Sequence, residues 1–419
     1  MLESKPDLMD DIRGRFAHIS SCPFTGERVF FENAGGALTL NSVVKTSAMF
    51  SAIPDNQGRD NAASAELMAI IAKMRSDTMM FLNVDNGQVF VGESGTELLF
   101  RLVSAAVMGS SKDGSVLCST LEHPASRSPA ILWADTAGKS HILIDHDDQT
   151  GSIDAEAYAR AIKPDTRVAT IIHTSPVTGM SVDVAAISKA IRAVSPGCFI
   201  IVDGIQHAAH GGLDIGSYDI DAYVMSPYKV FSRHGYGVAW FSDRLSELPH
   251  NSLIGGPTKN WELGTRDTGA YATFIDVIEY FEWLGTNFTD SDDRRERIDA
   301  AAKAIHAQEQ NLTEAMLHGT GNLPGLADIE GVTIIGGIDN PRREGLVSLN
   351  LAEVSDADLV QQLSDRGIRV HIRKADHYSG NILKPLGLPS CVRVSLCHYN
   401  TTQEVAQFLT AMKEIADSR

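Results

Sequence analysis

The sequence predicts an α/β protein with a large, mostly parallel sheet and a smaller α+β unit at its C-terminal end. From about residue 28 to 250, short apolar runs alternate with amphipathic helical patterns, which is typical of βαβ units. From about residue 328 the pattern changes to α+β, and the long helical runs 271–288 and 292–319 lie between the two regions. We expect an N-terminal segment that packs with the small domain, a large domain and a small domain, at residues 1–27, 28–285 and 286–419.

The elements of the large unit each have a signal in the sequence. Five apolar runs predict strands, at residues 87–92, 114–119, 141–145, 167–175 and 198–204. Four helical patterns alternate with them, at residues 96–109, 124–138, 154–166 and 183–197. A further apolar strand begins near Asp221 and leads into Ser226 and Lys229. In the small unit, strands are expected at 331–337, 345–351 and 391–397 and a closing helix at 402–418.

Composition and charge exclude several classes of protein. The chain has 419 residues, of which 43% are hydrophobic and 21% charged, as in an ordinary globular protein. Its 53 acidic and 36 basic residues give a net charge of −17, which argues against a nucleic-acid surface. The sequence has no apolar run of membrane-spanning length and no apolar signal-peptide region, so a cytoplasmic location without a membrane is expected. The five cysteines show no spacing suited to zinc, and no metal is expected.

Two polar groups follow early strands, where ligands of open α/β sheets bind. Gly95 and Thr96 lie between a strand and the start of a helix, an arrangement suited to a phosphate group. The same residue types are also common helix caps. His123 follows the next strand and precedes Pro124, so its ring could stack on a planar ligand or move protons. An ordinary polar loop residue is the alternative for His123.

Two further groups make the pattern more specific. Asp203 ends a very apolar strand, so its carboxylate is expected to be buried and to need a cationic partner. A helix-capping role is the alternative for Asp203. Lys229 follows Asp203 by 26 residues and is either a surface charge or a reactive amine. An aspartate and a lysine after neighbouring strands are what pyridoxal 5'-phosphate requires, one for the ring nitrogen and one for the Schiff base.

The segments "VDGIQ" and "DAYVMSPYK" resemble blocks of the class V aminotransferase group of fold-type I pyridoxal phosphate enzymes, in particular cysteine desulfurases and selenocysteine lyases. The resemblance covers nearly the whole chain, from "FFENAGGA" at 30–37 to "VRVSLCHYNTTQEV" at 392–405. It implies a seven-stranded, mostly parallel sheet, bound pyridoxal 5'-phosphate, an amino-acid substrate and a homodimer with composite active sites.

The resemblance also implies a role for each matching residue. Lys229 is implied as the Schiff-base lysine and as the base that moves the α-proton, and Arg393 as the group that binds the substrate carboxylate. The other matching residues are implied as cofactor ligands: Asp203 for the ring nitrogen, Gln206 for the phenolic oxygen, His123 for stacking on the ring, Gly95, Thr96 and Ser226 for the phosphate, and Thr268 for the phosphate of the neighbouring subunit.

Three positions depart from the desulfurase pattern. Tyr378 stands where those enzymes carry the cysteine that accepts sulfur, and the sequence has no cysteine between Cys198 and Cys391. Tyr228 replaces the histidine before the Schiff-base lysine, and Pro176 falls where an asparagine usually helps bind the phenolic oxygen. These departures predict an enzyme without a persulfide relay.

The predicted reaction is therefore β-elimination on a cysteine-like amino acid, such as a cysteine S-conjugate, a sulfinate or selenocysteine. Lys229 is expected to remove the α-proton, and His123, Tyr378 or His377 to supply a proton to the leaving group. Tyr378 and His377 are expected in the substrate pocket, with Arg373 and His371 as further candidates. Transamination, epimerisation and a non-catalytic protein that kept the fold are the alternatives.

Overall fold

A seven-stranded sheet forms the centre of the large unit. The structure, a computed structural model, describes residues 2–419. The strands in chain order are β1 (Gln88–Gly92), β2 (Ser115–Ser119), β3 (Ser140–Ile144), β4 (Thr166–Ile172), β5 (Phe199–Asp203), β6 (Ala222–Met225) and β7 (Gly237–Phe241). Their order across the sheet is β1–β7–β6–β5–β4–β2–β3.

Strand direction in this sheet brings several strand ends to one edge. Only β7 runs antiparallel to its neighbours, and every other pair is parallel. The prediction of a mostly parallel, seven-stranded sheet is therefore confirmed. Asp203, the last residue of β5, pairs in register with Ile172 of β4 and Val224 of β6. The segments that follow these three strands consequently leave the sheet side by side.

Helices cover both faces of the sheet, which is why its central strands are almost entirely buried. The helices in chain order are α1 (Pro6–Gly14), α2 (Asn41–Phe50), α3 (Ala62–Leu82), α4 (Gly95–Gly109), α5 (Pro124–Thr136), α6 (Ala155–Ala161), α7 (Val184–Val194), α8 (Asp243–Ser246), α9 (Thr268–Gly285), α10 (Arg294–His318), α11 (Asp356–Asp365), α12 (Gly380–Leu383) and α13 (Thr402–Asp417). Among residues 2–419, none of these helices is long and apolar enough to cross a bilayer.

A second, antiparallel sheet forms the C-terminal unit. Its strands are β8 (Val332–Ile334), β9 (Leu346–Leu351), β10 (His371–Lys374) and β11 (Ser390–Ser395), and their spatial order is β8–β9–β11–β10. Alternate residues of β9 and β11, such as Val347 and Val392, join a buried apolar cluster with Phe408 of α13. The reciprocal capping of Thr401 and Glu404 fixes the start of α13.

The N-terminal segment contacts the C-terminal unit. The Glu3 carboxylate accepts a hydrogen bond from Thr402 N at 2.8 Å, and Arg13 pairs with Glu404 at 3.0 Å. The two-residue strand Val29–Phe30 pairs in parallel with Ile368–Arg369. Residues 29 and 30 therefore lie with the C-terminal unit, although the predicted large domain begins at residue 28. The domain boundaries stay predictions.

Several predicted helices have different bounds in the structure, and two of these differences have a local physical cause. The helix predicted at 154–166 ends at Ala161, because Pro164 has no N–H to donate and excludes helical geometry just before it. The helix predicted at 271–288 begins earlier, at Thr268. The Asp267 side chain caps this helix by accepting from Gly269 N at 2.8 Å. The predicted start is too late because it is based on the apolar periodicity, which begins after this capping residue.

Candidate active site

A cavity lies at the edge of the large sheet, where β4, β5 and β6 end and α4 and α5 begin. It contains six of the residues that the sequence predicts for the site, together with apolar and hydroxyl groups from the same loops. The lining residues are Thr96, His123, Ala125, Ile172, Thr174, Pro176, Asp203, Ile205, Gln206, Ser226, Tyr228 and Lys229. The structure thus brings together residues that are up to 133 positions apart in the chain.

Lys229 follows β6 in one short turn of 3₁₀ helix, Pro227–Lys229. Its Nζ reaches the cavity and donates a hydrogen bond to Gln206 Oε1 at 3.0 Å. Burial, followed by repulsion from Arg393, lowers the pKa of Lys229 to about 7. A substantial fraction of the amine is therefore neutral at neutral pH, as a nucleophile or a base requires.

Asp203 is almost completely buried at the end of β5. One carboxylate oxygen, Oδ1, accepts from Ile205 N at 3.1 Å. Burial raises the pKa of Asp203 to about 6, although the Lys229 charge acts in the opposite direction. Such a carboxylate is suited to a buried cation such as a protonated ring nitrogen.

The start of α4 offers a concave site for an anion. Ser94 caps the helix by accepting from Glu97 N, and the N–H groups of the first turn have no intrahelical acceptor. A Cβ atom at Gly95 would lie 2.5 Å from Ser226 Oγ and 2.6 Å from Ile205 Cδ1. Glycine is therefore needed for the close approach of the helix start to the Ser226 turn. Thr96 and Ser226 add hydroxyl groups at the same place.

His123 caps α5 and is held as a neutral ring. Its Nδ1 accepts from Ala125 N at 3.1 Å, so the ring proton of neutral His123 is on Nε2. Burial, followed by repulsion from Lys229 and Arg373, lowers the pKa of His123 to about 3. The Tyr378 ring stacks against His123 with 5.7 Å between centroids and an interplanar angle of 27°.

Arg393 lies in β11 beside the cavity and is 2% exposed. Its Nη1 donates to the carbonyl oxygen of Pro176, a lining residue, at 2.9 Å, while its Nε has no partner. Arg373, on the neighbouring strand β10, donates from Nε to Ser379 Oγ at 2.9 Å and has an unpartnered, buried Nη2. The two guanidinium groups thus supply positive charge, and each has one buried N–H group without a partner. Both features suit the recognition of an anionic substrate.

Five predicted residues are not among those that line this cavity. Gly95 and Arg393 lie against lining residues, and the other three are Tyr378, His377 and Thr268. Tyr378 is 45% exposed, and its ring contacts His123 and lies under the Arg373 guanidinium, with 6.0 Å between the guanidinium carbon and the ring centroid. The His377 ring packs on Tyr378 with 4.0 Å between centroids. Thr268 lies at the first position of α9, where it accepts from Gln57 Nε2 at 3.1 Å. A role of Thr268 toward a neighbouring subunit stays a prediction.

Glu122, directly before His123, is a buried carboxyl group beside the site that the sequence does not single out. Ser126 Oγ donates to its Oε2, and its Oε1 has no partner. Burial raises the pKa of Glu122 to about 8, with repulsion from Asp203 adding to the effect. A carboxyl group next to the candidate ring-stacking histidine is a signal in the sequence, but its burial depends on how α5 packs on the sheet.

Comparisons with known proteins agree with this geometry. The family model described as Aminotransferase class-V matches residues 29–408. The chain is 25% identical over 409 residues to the cysteine desulfurase-like protein ustD of Aspergillus flavus, covering 93% of this chain and 88% of that protein. It is 29% identical over 358 residues to a probable cysteine desulfurase of Pseudomonas putida, covering 81% of each.

The fold agrees with that of a solved cysteine desulfurase structure. A cysteine desulfurase from Thermococcus onnurineus NA1 superposes with a TM-score of 0.82 and 21% sequence identity, covering 98% of both chains. Enzymes of this family depend on pyridoxal 5'-phosphate. The residues present fit that cofactor. Asp203 is a buried carboxylate that could pair with a ring nitrogen, and the lowered pKa of Lys229 makes its amine available for a Schiff base. Gly95, which has no side chain, leaves space for a phosphate at the start of α4. The chain therefore belongs to the class-V aminotransferase family of fold-type I, pyridoxal phosphate-dependent enzymes.

Proposed function

We propose that this enzyme is a carbon–sulfur lyase that cleaves a cysteine-like amino acid by β-elimination without a persulfide relay. The observation that supports the proposal is the Tyr378 ring, which stacks on His123. The resemblance implies that desulfurases carry their sulfur-accepting cysteine at this position. Cys118, Cys198, Cys391 and Cys397 are buried, and none of the five cysteines lines the cavity. The sulfur group is then released directly to solvent.

Proton abstraction is assigned to Lys229. Pyridoxal phosphate, when bound, supplies the electron sink that makes the α-proton acidic. Lys229 Nζ takes that proton, the electron pair of the C–H bond forms the Cα–Cβ double bond, and the Cβ–S bond breaks with its pair on sulfur. Addition of water to the released aminoacrylate gives pyruvate and ammonia. For a cysteine S-conjugate, the sulfur product is a thiol.

The leaving group does not need an imidazolium. The pKa of His123, about 3, keeps this ring neutral at neutral pH, so it is suited to stacking and to hydrogen bonding through Nε2–H. A thiolate with an electron-withdrawing substituent leaves without a proton. Tyr378 and His377 are exposed enough to deliver a proton to a more basic leaving group from solvent.

Substrate orientation is assigned to the two arginines. Arg393 has an unpartnered Nε and is proposed to bind the α-carboxylate. Arg373 has an unpartnered Nη2 and lies on the strand beside it, so it is suited to a polar or anionic group on the substrate side chain. Holding the carboxylate by Arg393 also disfavours its loss as carbon dioxide.

A product panel tests the proposal. Cofactor-loaded enzyme is incubated with cysteine, cysteine S-conjugates, cysteine sulfinate and selenocysteine, and pyruvate, ammonia, sulfide, sulfite and alanine are measured. We expect equal amounts of pyruvate and thiol from at least one S-conjugate. The absence of pyruvate with every cysteine derivative would overturn the proposal. Conversion of the cofactor to its amine form, with a keto acid as product, would instead indicate an aminotransferase.

Variants at Tyr378 test the missing relay directly. Tyr378→Phe keeps the ring that stacks on His123, and we expect it to retain most of the activity toward a substrate with a good leaving group. Tyr378→Ala removes the stack and serves as the comparison. Trapping a persulfide on any cysteine of the wild-type enzyme during turnover would contradict elimination without a relay.

A homodimer with composite active sites is part of the same proposal. Thr268 does not line the cavity of its own chain, and the segment before it exposes Leu253 and Ile254. Such exposed apolar side chains in the segment that leads to Thr268 suit an interface with a second copy. Light scattering of the loaded enzyme should give twice the chain mass of 45.3 kDa, and a monomer with full activity would refute the composite site.

A further inference from the structure

One asparagine side chain joins the C-terminal unit to the large unit beside the cavity. Asn381 lies in α12, and its Nδ2 donates to the carbonyl oxygens of Thr120 and Glu122 at 2.5 and 3.3 Å. These two residues belong to the turn between β2 and α5, directly before His123. The contact therefore joins residues that are 261 and 259 positions apart in the chain, next to a residue that lines the cavity.

Donor and acceptor chemistry fixes the direction of the Asn381 side chain. Carbonyl oxygens only accept hydrogen bonds, so the atom of Asn381 that faces both of them is the amide nitrogen. Turning the amide over would place Oδ1 against two carbonyl oxygens, in a contact that has no donor. The neighbouring Ile382 and Leu383 are 1% and 0% exposed and belong to the apolar core of the large unit. Their burial attaches α12 without specifying a direction, and the hydrogen bonds of Asn381 supply one.

The turn that accepts these hydrogen bonds is itself held from the interior. Thr120 Oγ1 accepts from His146 N at 2.9 Å and lies 2.7 Å from His146 Nδ1. The Glu122 side chain is completely buried and contacts Ser126 Oγ. Asn381 therefore binds to a fixed part of the large unit.

The chain before α12 carries two side chains that the proposed function assigns to the substrate. We call residues 373–383 the substrate segment. Asp376 Oδ1 accepts from Tyr378 N at 2.8 Å and from Ser379 N at 3.3 Å. Arg373 Nε donates to Ser379 Oγ at 2.9 Å, and Ser379 is 0% exposed. The substrate segment is thus closed on itself, so a displacement of α12 would move Arg373 and Tyr378 together.

We propose that Asn381 is a positioning residue that ties the substrate segment to the large unit and so holds Arg373 and Tyr378 beside the cavity before a substrate binds. A segment that is already in place loses less conformational freedom when the substrate arrives. Without this tie only a fraction of the molecules would be ready to bind, and the apparent affinity would fall by that fraction. The tie is independent of the reaction, whereas its effect on substrate binding rests on the proposed assignment of Arg373 to the substrate.

A second asparagine provides a matched control. Asn350 Nδ2 donates to Ser390 O and to Asp356 Oδ1, both at 2.9 Å, and all three residues belong to the C-terminal unit. Like Asn381, Asn350 is partly buried and its Oδ1 has no partner. Asn350→Ala therefore removes a comparable amide without interrupting the contact to the large unit.

The first test compares Asn381→Asp, Asn381→Ala and Asn350→Ala in cofactor-loaded protein without substrate. Asn381→Asp keeps the shape of the side chain, but an ionised carboxylate has no donor. Hydrogen exchange is measured by mass spectrometry in peptides that cover residues 373–383. We expect exchange about 5- to 10-fold faster than in the wild type for both Asn381 variants, because both hydrogen bonds to the large unit are lost. Exchange in Asn350→Ala should stay close to that of the wild type, and the cofactor absorbance should not change in any variant.

Steady-state kinetics test the effect on the substrate. The best substrate of the product panel is used, whichever reaction it undergoes. In Asn381→Ala, KM should rise at least about 5-fold while kcat changes by less than about 2-fold. A purely structural role of Asn381 would instead lower thermal stability and leave KM unchanged.

Unchanged exchange in the folded Asn381 variants would overturn the tie, and so would an equal acceleration in Asn350→Ala. If Asn381→Asp does not fold, Asn381→Ala decides. Faster exchange with an unchanged KM would overturn the role toward the substrate. The exchange measurement needs no substrate, and KM is measured with whichever substrate the panel identifies. A failure of this inference is therefore distinguishable from a failure of the proposed lyase activity.

Discussion

Replacing Arg393 separates the effect of its charge from the effect of its shape. The guanidinium is buried in β11, donates to Pro176 O at 2.9 Å and keeps an unpartnered Nε beside the cavity. Arg393→Lys retains a positive charge but loses the planar fork, whereas Arg393→Gln loses both. Hydrogen bonds to a charged group contribute about 1.5–3 kcal/mol. We therefore expect kcat/KM to fall roughly 10- to 150-fold in Arg393→Lys, mainly through KM, and further in Arg393→Gln.

The same pair of variants makes a prediction about Lys229. After burial, repulsion from Arg393 is the main cause that lowers the pKa of Lys229 to about 7. Removing this charge should raise that pKa by up to about one unit, while Arg393→Lys should leave it nearly unchanged. The neutral amine attacks the cofactor, so the midpoint in the pH dependence of cofactor attachment should rise in Arg393→Gln.

The assay for this prediction is stopped-flow absorbance of cofactor attachment at a series of pH values, combined with steady-state kinetics on the best substrate. Circular dichroism and thermal unfolding establish that both variants are folded. A kcat/KM of Arg393→Lys equal to that of the wild type would refute carboxylate recognition by Arg393. Equal attachment midpoints in Arg393→Gln and the wild type would refute its electrostatic effect on Lys229.

Three other properties can be predicted from the structure. Gly95→Ala should weaken cofactor affinity at least about 10-fold in a fluorescence titration while the protein stays folded, because the new Cβ would lie 2.5 Å from Ser226 Oγ. Asp221→Ala should lower the free energy of unfolding by about 3 kcal/mol in urea without changing cofactor absorbance, because Arg192 and Arg244 lose the buried carboxylate they share. The pKa of Glu122 is raised from 4.5 to about 8, so its stabilising protonation is complete below pH 4.5 and is lost as the pH rises through 8. Glu122→Gln should therefore flatten the fall in stability over this range, by up to about 1.4 kcal/mol per pH unit, and parallel pH curves for wild type and variant would contradict this assignment.

Much of the fold and of the cofactor site could be predicted from local signals. The alternation of apolar runs and helical patterns predicts a parallel sheet, and the sheet in turn brings the strand ends to one edge. Asp203 and Lys229 are recognisable because each lies at or just after the end of an apolar strand, where burial of a charged side chain is costly unless it has a partner. The structure places both in one cavity with Gln206, Ser226 and His123.

Residues outside these signals depend on packing between distant segments. Glu309 lies on a long, polar helix, and nothing in its sequence neighbourhood distinguishes it from a solvated glutamate. Its burial against His210 follows from the way α10 crosses from the large unit to the C-terminal unit. Arg373 and Tyr378 likewise reach the site only because β10 lies beside β11 in the small sheet.

The sequence by itself determined the fold class and the cofactor class, because the alternation of strands and helices and the polar residues at strand ends are encoded within short segments. It also predicted Lys229 as the lysine that would bind the cofactor. It further predicted a departure from the desulfurase pattern at Tyr378. Only the tertiary structure decided the protonation of the site. The low pKa of His123 results from burial and from the charges of Lys229 and Arg373, and the raised pKa of Asp203 results from burial at the end of β5. These surroundings come from segments that are distant in the chain.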